Sequence, residues 1–101
     1  MMKVTVLYGH PADAGAFEDY YTSTHIPLAA RIPGVDRKEL TMFLTGPDGG
    51  RPAYYRMAEL YFASEAHLHA ALGLPEAQAA IADISNFATG GVTMIVGAIH
   101  G

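Results

Sequence analysis

The order in which two hydrophobic rhythms alternate limits what this chain can fold into more than any other feature. Residues 3–9, Lys-Val-Thr-Val-Leu-Tyr-Gly, are rich in β-branched side chains and alternate with period two. Val4, Val6 and Tyr8 share one face; Thr5 and Leu7 share the other. Then the period lengthens. Asp13 suits a helix N-cap, and Glu18 and Asp19 lie early in the run, where the helix dipole favours carboxylates. Phe17, Tyr21, Thr24 and Leu28 recur at helical spacing and form one stripe. Pro27 removes a backbone donor and disfavours helical geometry at Ile26, which predicts a kink or break near His25. Arg31-Ile32-Pro33-Gly34 is a stop.

Period two returns over 35–45, with Leu40, Met42 and Leu44 alternating against Glu39, Thr41 and Phe43, and again over 54–63. The Gly- and Pro-rich loop 46–52 between them is short enough for an antiparallel hairpin. Ser64 caps a second helical run carrying Leu68, Ala71 and Leu72, which Gly73 ends. Pro75 opens its continuation, with Ala77, Ile81, Ile84 and Ala88 in phase. Gly90-Gly91 breaks the helix, and 92–99 is the last strand. The order is β-α-β-β-α-β. Right-handed crossovers place such a chain in the α+β class, as a four-stranded antiparallel sheet with both helices on one face and strands one and three central. Residues 1–101 form a single domain without repeat or linker.

Composition then acquires a meaning. Half of the residues are hydrophobic and only 16% are charged, against about 25% charged in average soluble domains. One sheet face would carry half of the apolar strand residues with no cover from its own chain. The expectation is a homodimer through the open sheet face, or an apolar cavity for a small lipophilic molecule. No apolar run approaches the roughly 18 residues of a membrane span, and the N-terminus runs straight into a strand and does not read as a signal peptide. The absence of cysteine excludes disulfides, thiolate zinc sites and iron–sulfur clusters, and fits a cytoplasmic protein. A net charge of −4 argues against nucleic acid and anionic membranes as partners.

His25 is the first candidate for chemistry. It sits about 80° off the stripe centre at ~100° per residue, beside a proline-disturbed turn that frees backbone carbonyls to fix its tautomer. It suits a general acid or base near neutral pH; the bland alternative is a half-buried histidine bonded to backbone. Tyr8 and Tyr20 share its neighbourhood and are expected to line a cavity and orient a substrate. Glu59 lies mid-strand on the face of Met57 and Tyr61, opposite Arg56. It calls for an ion pair with Arg37 or Lys38, or else serves as a carboxylate inside a cavity or dimer. Asp83 and Asn86 read as local capping. His67 and His69, two apart on a helix, point to opposite sides and do not chelate together; His10 and His100 flank strand ends as neighbours. No metal-ligand motif, Walker pattern or dinucleotide-binding fingerprint is present, so neither metal nor cofactor is expected.

The run Phe17-Glu18-Asp19-Tyr20-Tyr21-Thr22-Ser23-Thr24-His25-Ile26-Pro27-Leu28-Ala29 resembles the signature first helix of the EthD-like family, associated with ether degradation. The Val-Leu-Tyr of strand one, Ile32-Pro33-Gly34-Val35 and the stretch from Asp83 to Gly90 are similar too. The resemblance implies a dimeric α+β barrel, in which the open sheet faces of two ferredoxin-like subunits meet. Its wider superfamily includes cofactor-free monooxygenases, isomerases, cyclases and haem-dependent enzymes, and the family's histidine maps onto His25. The expected function is therefore a cofactor-independent oxidoreductase, monooxygenase or isomerase for a small lipophilic compound, with His25 as acid/base. The alternative is a non-catalytic dimeric binding protein, an accessory of a catabolic pathway. Haem on His25 is a subordinate variant. RNA binding, suggested by the strand–helix order shared with the RRM, lacks both the basic surface and the aromatic motif.

Overall fold

In the computed structural model, which describes residues 1–101, the first period-two run becomes β1 (Met2–Tyr8). The two runs around the hairpin become β2 (Arg37–Met42) and β3 (Arg56–Phe62), and the last becomes β4 (Val92–Ala98). They pair in the order β2-β3-β1-β4, all antiparallel, so the two central strands are those anticipated. Two helical segments cross one face. The first comprises α1 (Ala14–Tyr20), a wider turn over Tyr21–His25, and α2 (Ile26–Ala29). The second comprises α3 (Glu65–Leu72), α4 (Pro75–Asp83) and a tight 3₁₀ turn over Ile84–Asn86. This is the ferredoxin-like arrangement. No helix is long and apolar enough to cross a membrane.

Capping follows the sequence. The Asp13 carboxylate accepts from the Ala16 N–H at 3.0 Å, and the Ser64 hydroxyl accepts from the His67 N–H at 3.2 Å. The exit of β1 is welded to the turn before β4. A Cβ on Gly9 would lie 2.1 Å from the Gly90 carbonyl oxygen, so neither strand end tolerates a side chain there. The Ala12 N–H also donates to Thr89 Oγ1 at 3.0 Å. These contacts bring the start of α1 against the segment that follows α4.

The core lies between helices and sheet. Val4, Val6 and Tyr8 of β1 meet Phe17, Tyr21, Leu68, Ala71, Ile84 and Phe87, all buried. The opposite face departs from expectation. Its centre is a polar ladder rather than an apolar sheet. Lys3 Nζ donates to Glu59 Oε2 at 2.6 Å, the Tyr61 hydroxyl donates to Glu39 Oε1 at 2.6 Å, and the Arg37 guanidinium lies 4.1 Å from the Tyr61 ring centre. Glu59 is thus paired across the sheet with Lys3 of β1, not with Arg37 or Lys38 of β2. The register explains this. Lys3 faces Tyr61 and Thr5 faces Glu59, so Lys3 sits diagonally from Glu59 on the same face, whereas Lys38 faces Leu60 on the helix side. The apolar excess gathers at the sheet edges. Leu40 and Met42 on β2, and Val92, Met94, Ile95 and Val96 on β4, are exposed. The short helices pack mainly on the two central strands and leave both outer strands half uncovered.

Candidate active site

The site begins with a proline. Pro27 has no N–H to continue the helical ladder. The chain does not break there; it widens. Residues Tyr21–His25 form a π turn, closed by the Ile26 N–H donating to the Tyr21 carbonyl five residues back. A π turn absorbs one extra residue and is characteristic of functional positions. The added residue sets the following side chains back by roughly one helical step of about 100°. His25, marginal on a regular helix, swings inward and is only 5% exposed. Its ring stacks on Tyr21 four residues earlier, with centroids 5.9 Å apart and planes 15° apart, and packs against Phe87 at 4.6 Å.

His25 is held by a carboxylate rather than by a backbone carbonyl. Its Nδ1 donates to Asp83 Oδ2 at 3.0 Å. Asp83 is the last residue of α4 and is itself 9% exposed. Its other oxygen accepts from the Tyr20 hydroxyl at 2.6 Å and from Asn86 Nδ2 at 3.0 Å. Burial alone would push the Asp83 carboxyl up. The hydrogen bonds from Tyr20, Asn86 and His25 outweigh it and hold the carboxyl below its ordinary range. An ionised Asp83 accepts only, so the neutral imidazole carries its proton on Nδ1. Nε2 has no hydrogen-bond partner and is left with a free lone pair.

The ring lines a cavity of ≈ 60 Å³ between the sheet and both helical segments. Sixteen of the eighteen residues around it are hydrophobic, tyrosines included; His25 and Lys38 are the exceptions. The exposed residues Lys38, Leu40, Ile81 and Met94 stand at its rim. Tyr8 and Tyr21 both line it. Burial pushes the Tyr8 phenol up, helped by Tyr21 and Asp83 nearby. Burial likewise pushes Tyr21 up to about 12. Both therefore stay protonated at neutral pH as hydrogen-bond donors. The Tyr21 hydroxyl is the one buried side-chain polar atom in the chain with no partner. Arg56 fixes the Tyr21 ring from the far side, 5.1 Å from its centre, and is itself gripped by Glu18 through its Nε at 2.9 Å.

The three residues anticipated for the site separate. His25 and Tyr8 meet at the cavity. Tyr20 does not line it; its hydroxyl turns to Asp83 behind His25, and this hydrogen bond raises its pKa. Tyr21 takes the cavity position instead. Asp83 is not a local cap but the partner of a histidine 58 residues earlier. A signal for it existed: an aspartate at a helix C-terminus opposes the dipole and needs a compensating donor.

No three His, Asp or Glu side chains converge as a metal site. His10 and His100 lie at opposite ends of the sheet, because β1 and β4 run antiparallel with Tyr8 facing Val92 and Met2 facing Ala98. His10 instead meets the Pro52 carbonyl at 2.7 Å. The cavity's ≈ 60 Å³ is small against the ~300–1,000 Å³ of typical ligand pockets.

A family model described as the EthD domain matches residues 10–91. An 11.0 kDa protein of the thcB-thcC intergenic region of Rhodococcus erythropolis is 46% identical over 99 residues, covering 94% of this chain and 91% of that one. The crystal structure of an ethyl tert-butyl ether degradation family protein from Bacillus halodurans superposes with a TM-score of 0.92 at 32% identity, covering 99% of each chain. An EthD-like protein from Ralstonia eutropha gives 0.70 at 26% identity, covering 95% of this chain and 88% of that one. A protein from Thermobifida fusca, described as dimeric and ferredoxin-like, shares the fold with a TM-score of 0.71 at 16% identity, covering 97% of this chain and 90% of that one.

Proposed function

This chain belongs to the EthD family, and we propose that it is a proton-transfer enzyme acting on a small lipophilic, oxygenated compound. The observation that carries this reading is the buried His25–Asp83 pair, with Nε2 free at an apolar cavity. Nε2 takes a proton from a C–H or O–H of the substrate, and the electron pair of the broken bond moves to the substrate oxygen. Asp83 stabilises the imidazolium that forms. The neutral phenols of Tyr8 and Tyr21 donate to the oxygen as its charge grows. Return of the proton to a different atom completes an isomerisation. An oxygenation would begin with the same deprotonation and take dioxygen as second substrate. The chain's residues supply the proton chemistry; an apolar lining excludes water and strengthens each polar contact.

We infer that the working unit is a homodimer through the open sheet face. Ile95, exposed on that face opposite Thr5 of β1, favours a second copy as cover.

The test is turnover across a panel of small lipophilic ketones, phenols and ethers by wild type, His25→Gln and Asp83→Asn. Wild-type activity that falls in both variants supports acid–base chemistry. Wild-type rates in His25→Gln would remove the histidine from the mechanism. Ligand binding without turnover, unchanged between about pH 5 and 8, would mark a non-catalytic binding protein instead.

A further inference from the structure

We propose that the cavity recognises a small apolar carboxylate, with its anionic end on Lys38 and its apolar body directed inward toward His25 and Tyr21. The inference rests on the reading of this cavity as the substrate site and names the class of molecule it takes. The strands carry four cations, and three of them are paired: Lys3 with Glu59, Arg37 with Glu39, and Arg56 with Glu18. Lys38 has neither an ion-pair nor a hydrogen-bond partner. Its register against Leu60 puts it on the helix side of β2, the side of the cavity, rather than on the polar ladder.

The charge of the lining points the same way. The whole chain carries a net charge of −4, yet no carboxylate lines the cavity. The ionisable groups around it are one cation, one histidine and two neutral phenols. Asp83, the nearest carboxylate to His25, is turned to Nδ1, Tyr20 and Asn86 and lies outside the lining. An anion entering at the rim therefore meets an unpaired ammonium and no opposing charge. The aliphatic stem of a lysine suits the apolar wall while its ammonium stays at the water-facing edge. A neutral lipophilic ligand gains nothing from that ammonium; a carboxylate gains a charge-assisted hydrogen bond.

The small volume also limits the ligand. A cavity of ≈ 60 Å³ admits a narrow chain or a few heavy atoms, with a polar end left at the rim. Placing the carboxylate at Lys38 leaves carbon atoms, not the acid group, for the histidine and phenols. The reacting centre would then be a second oxygenated position along the molecule.

Hexanoate and hexanamide differ in charge and little in shape, and serve as probes. Their affinities are measured by protein-observed NMR titration of wild type, Lys38→Met and Lys38→Arg. Lys38 is exposed on an edge strand, so these variants keep the core, and melting temperature checks this. The expected result is roughly tenfold tighter binding of hexanoate than of hexanamide to wild type. That preference is retained in Lys38→Arg and erased in Lys38→Met, with the amide unchanged. Equal binding of both probes to wild type, or a preference that survives in Lys38→Met, overturns the carboxylate assignment and leaves the cavity as a binding site. Failure of both probes to bind at millimolar concentration, with no shift near His25, overturns the cavity reading as well.

Discussion

Two carboxylates in this molecule are equally buried, Glu59 and Asp83, each 9% exposed. Each has a basic partner within hydrogen-bond distance, Lys3 at 2.6 Å and His25 at 3.0 Å. They differ in what the partner has left over. Lys3 is one-third exposed in its side chain and ends at a polar ladder on the open face. Its hydrogen bond goes to Glu59, away from the cavity. His25 is enclosed, and its second nitrogen is unpaired at an apolar cavity. Asp83 also takes two further donors, which hold it ionised and fixed. Burial and pairing alone do not mark a site; a partner with unused chemical capacity does.

The comparison breaks most clearly in turnover. His25→Gln is expected to lower kcat/KM by roughly 10²- to 10⁴-fold, the range of a lost general acid–base. Lys3→Met should leave it within about twofold, a change too small to matter on a transition-state scale. Equal losses in both variants would erase the distinction.

Stability separates the pairs next. Asp83→Asn leaves buried donors facing a neutral group, and urea unfolding at neutral pH should read about 1.5–3 kcal/mol of lost stability. Glu59→Gln removes a pair with a lysine one-third exposed, and a smaller loss is expected. The pH dependence has a definite sign. The folded-state pKa of Asp83 is lowered, so its contribution is complete above the ~3.9 of an unfolded aspartate. It fades as pH falls through the lower folded value. Below about pH 4 wild type should therefore lose an increment of stability that Asp83→Asn has already lost. Parallel acid-unfolding curves would contradict the role given to Asp83.

The smallest effects concern two tyrosines. Tyr61 donates to Glu39 on the open face, whereas Tyr21 is buried with an unpartnered hydroxyl. Tyr61→Phe should lower stability slightly, by the loss of one hydrogen bond. Tyr21→Phe removes an unsatisfied polar atom and should stabilise by up to about 1 kcal/mol, while lowering turnover. A gain in stability coupled to a loss of function would identify a polar group kept for a ligand.

Local patterns carried much of the architecture in the sequence. Two side-chain caps, at Asp13 and Ser64, the period-two runs and the glycine stops set the element order, and right-handed crossovers then left few topologies. Pro27 announced a disturbance near His25, but not that a π turn would absorb it. What escaped was long-range and directional. Asp83 lies 58 residues from His25, and no periodicity encodes that meeting. Tyr20 and Tyr21 are adjacent, so the choice between them depended on helix rotation, which the π turn alters. The open face was legible in position but not in polarity. Its centre takes Lys3, Thr5, Glu59, Tyr61 and Glu39 from three strands, and only the register aligns them.

The central claim is that Asp83 holds the proton of His25 on Nδ1 and leaves Nε2 as a free base at the cavity. Long-range proton–nitrogen NMR correlations of the His25 ring, recorded where the imidazole is neutral, test it directly. The account predicts the Nδ1–H tautomer in wild type and a shift toward mixed tautomers in Asp83→Asn. A proton on Nε2 in wild type would contradict it.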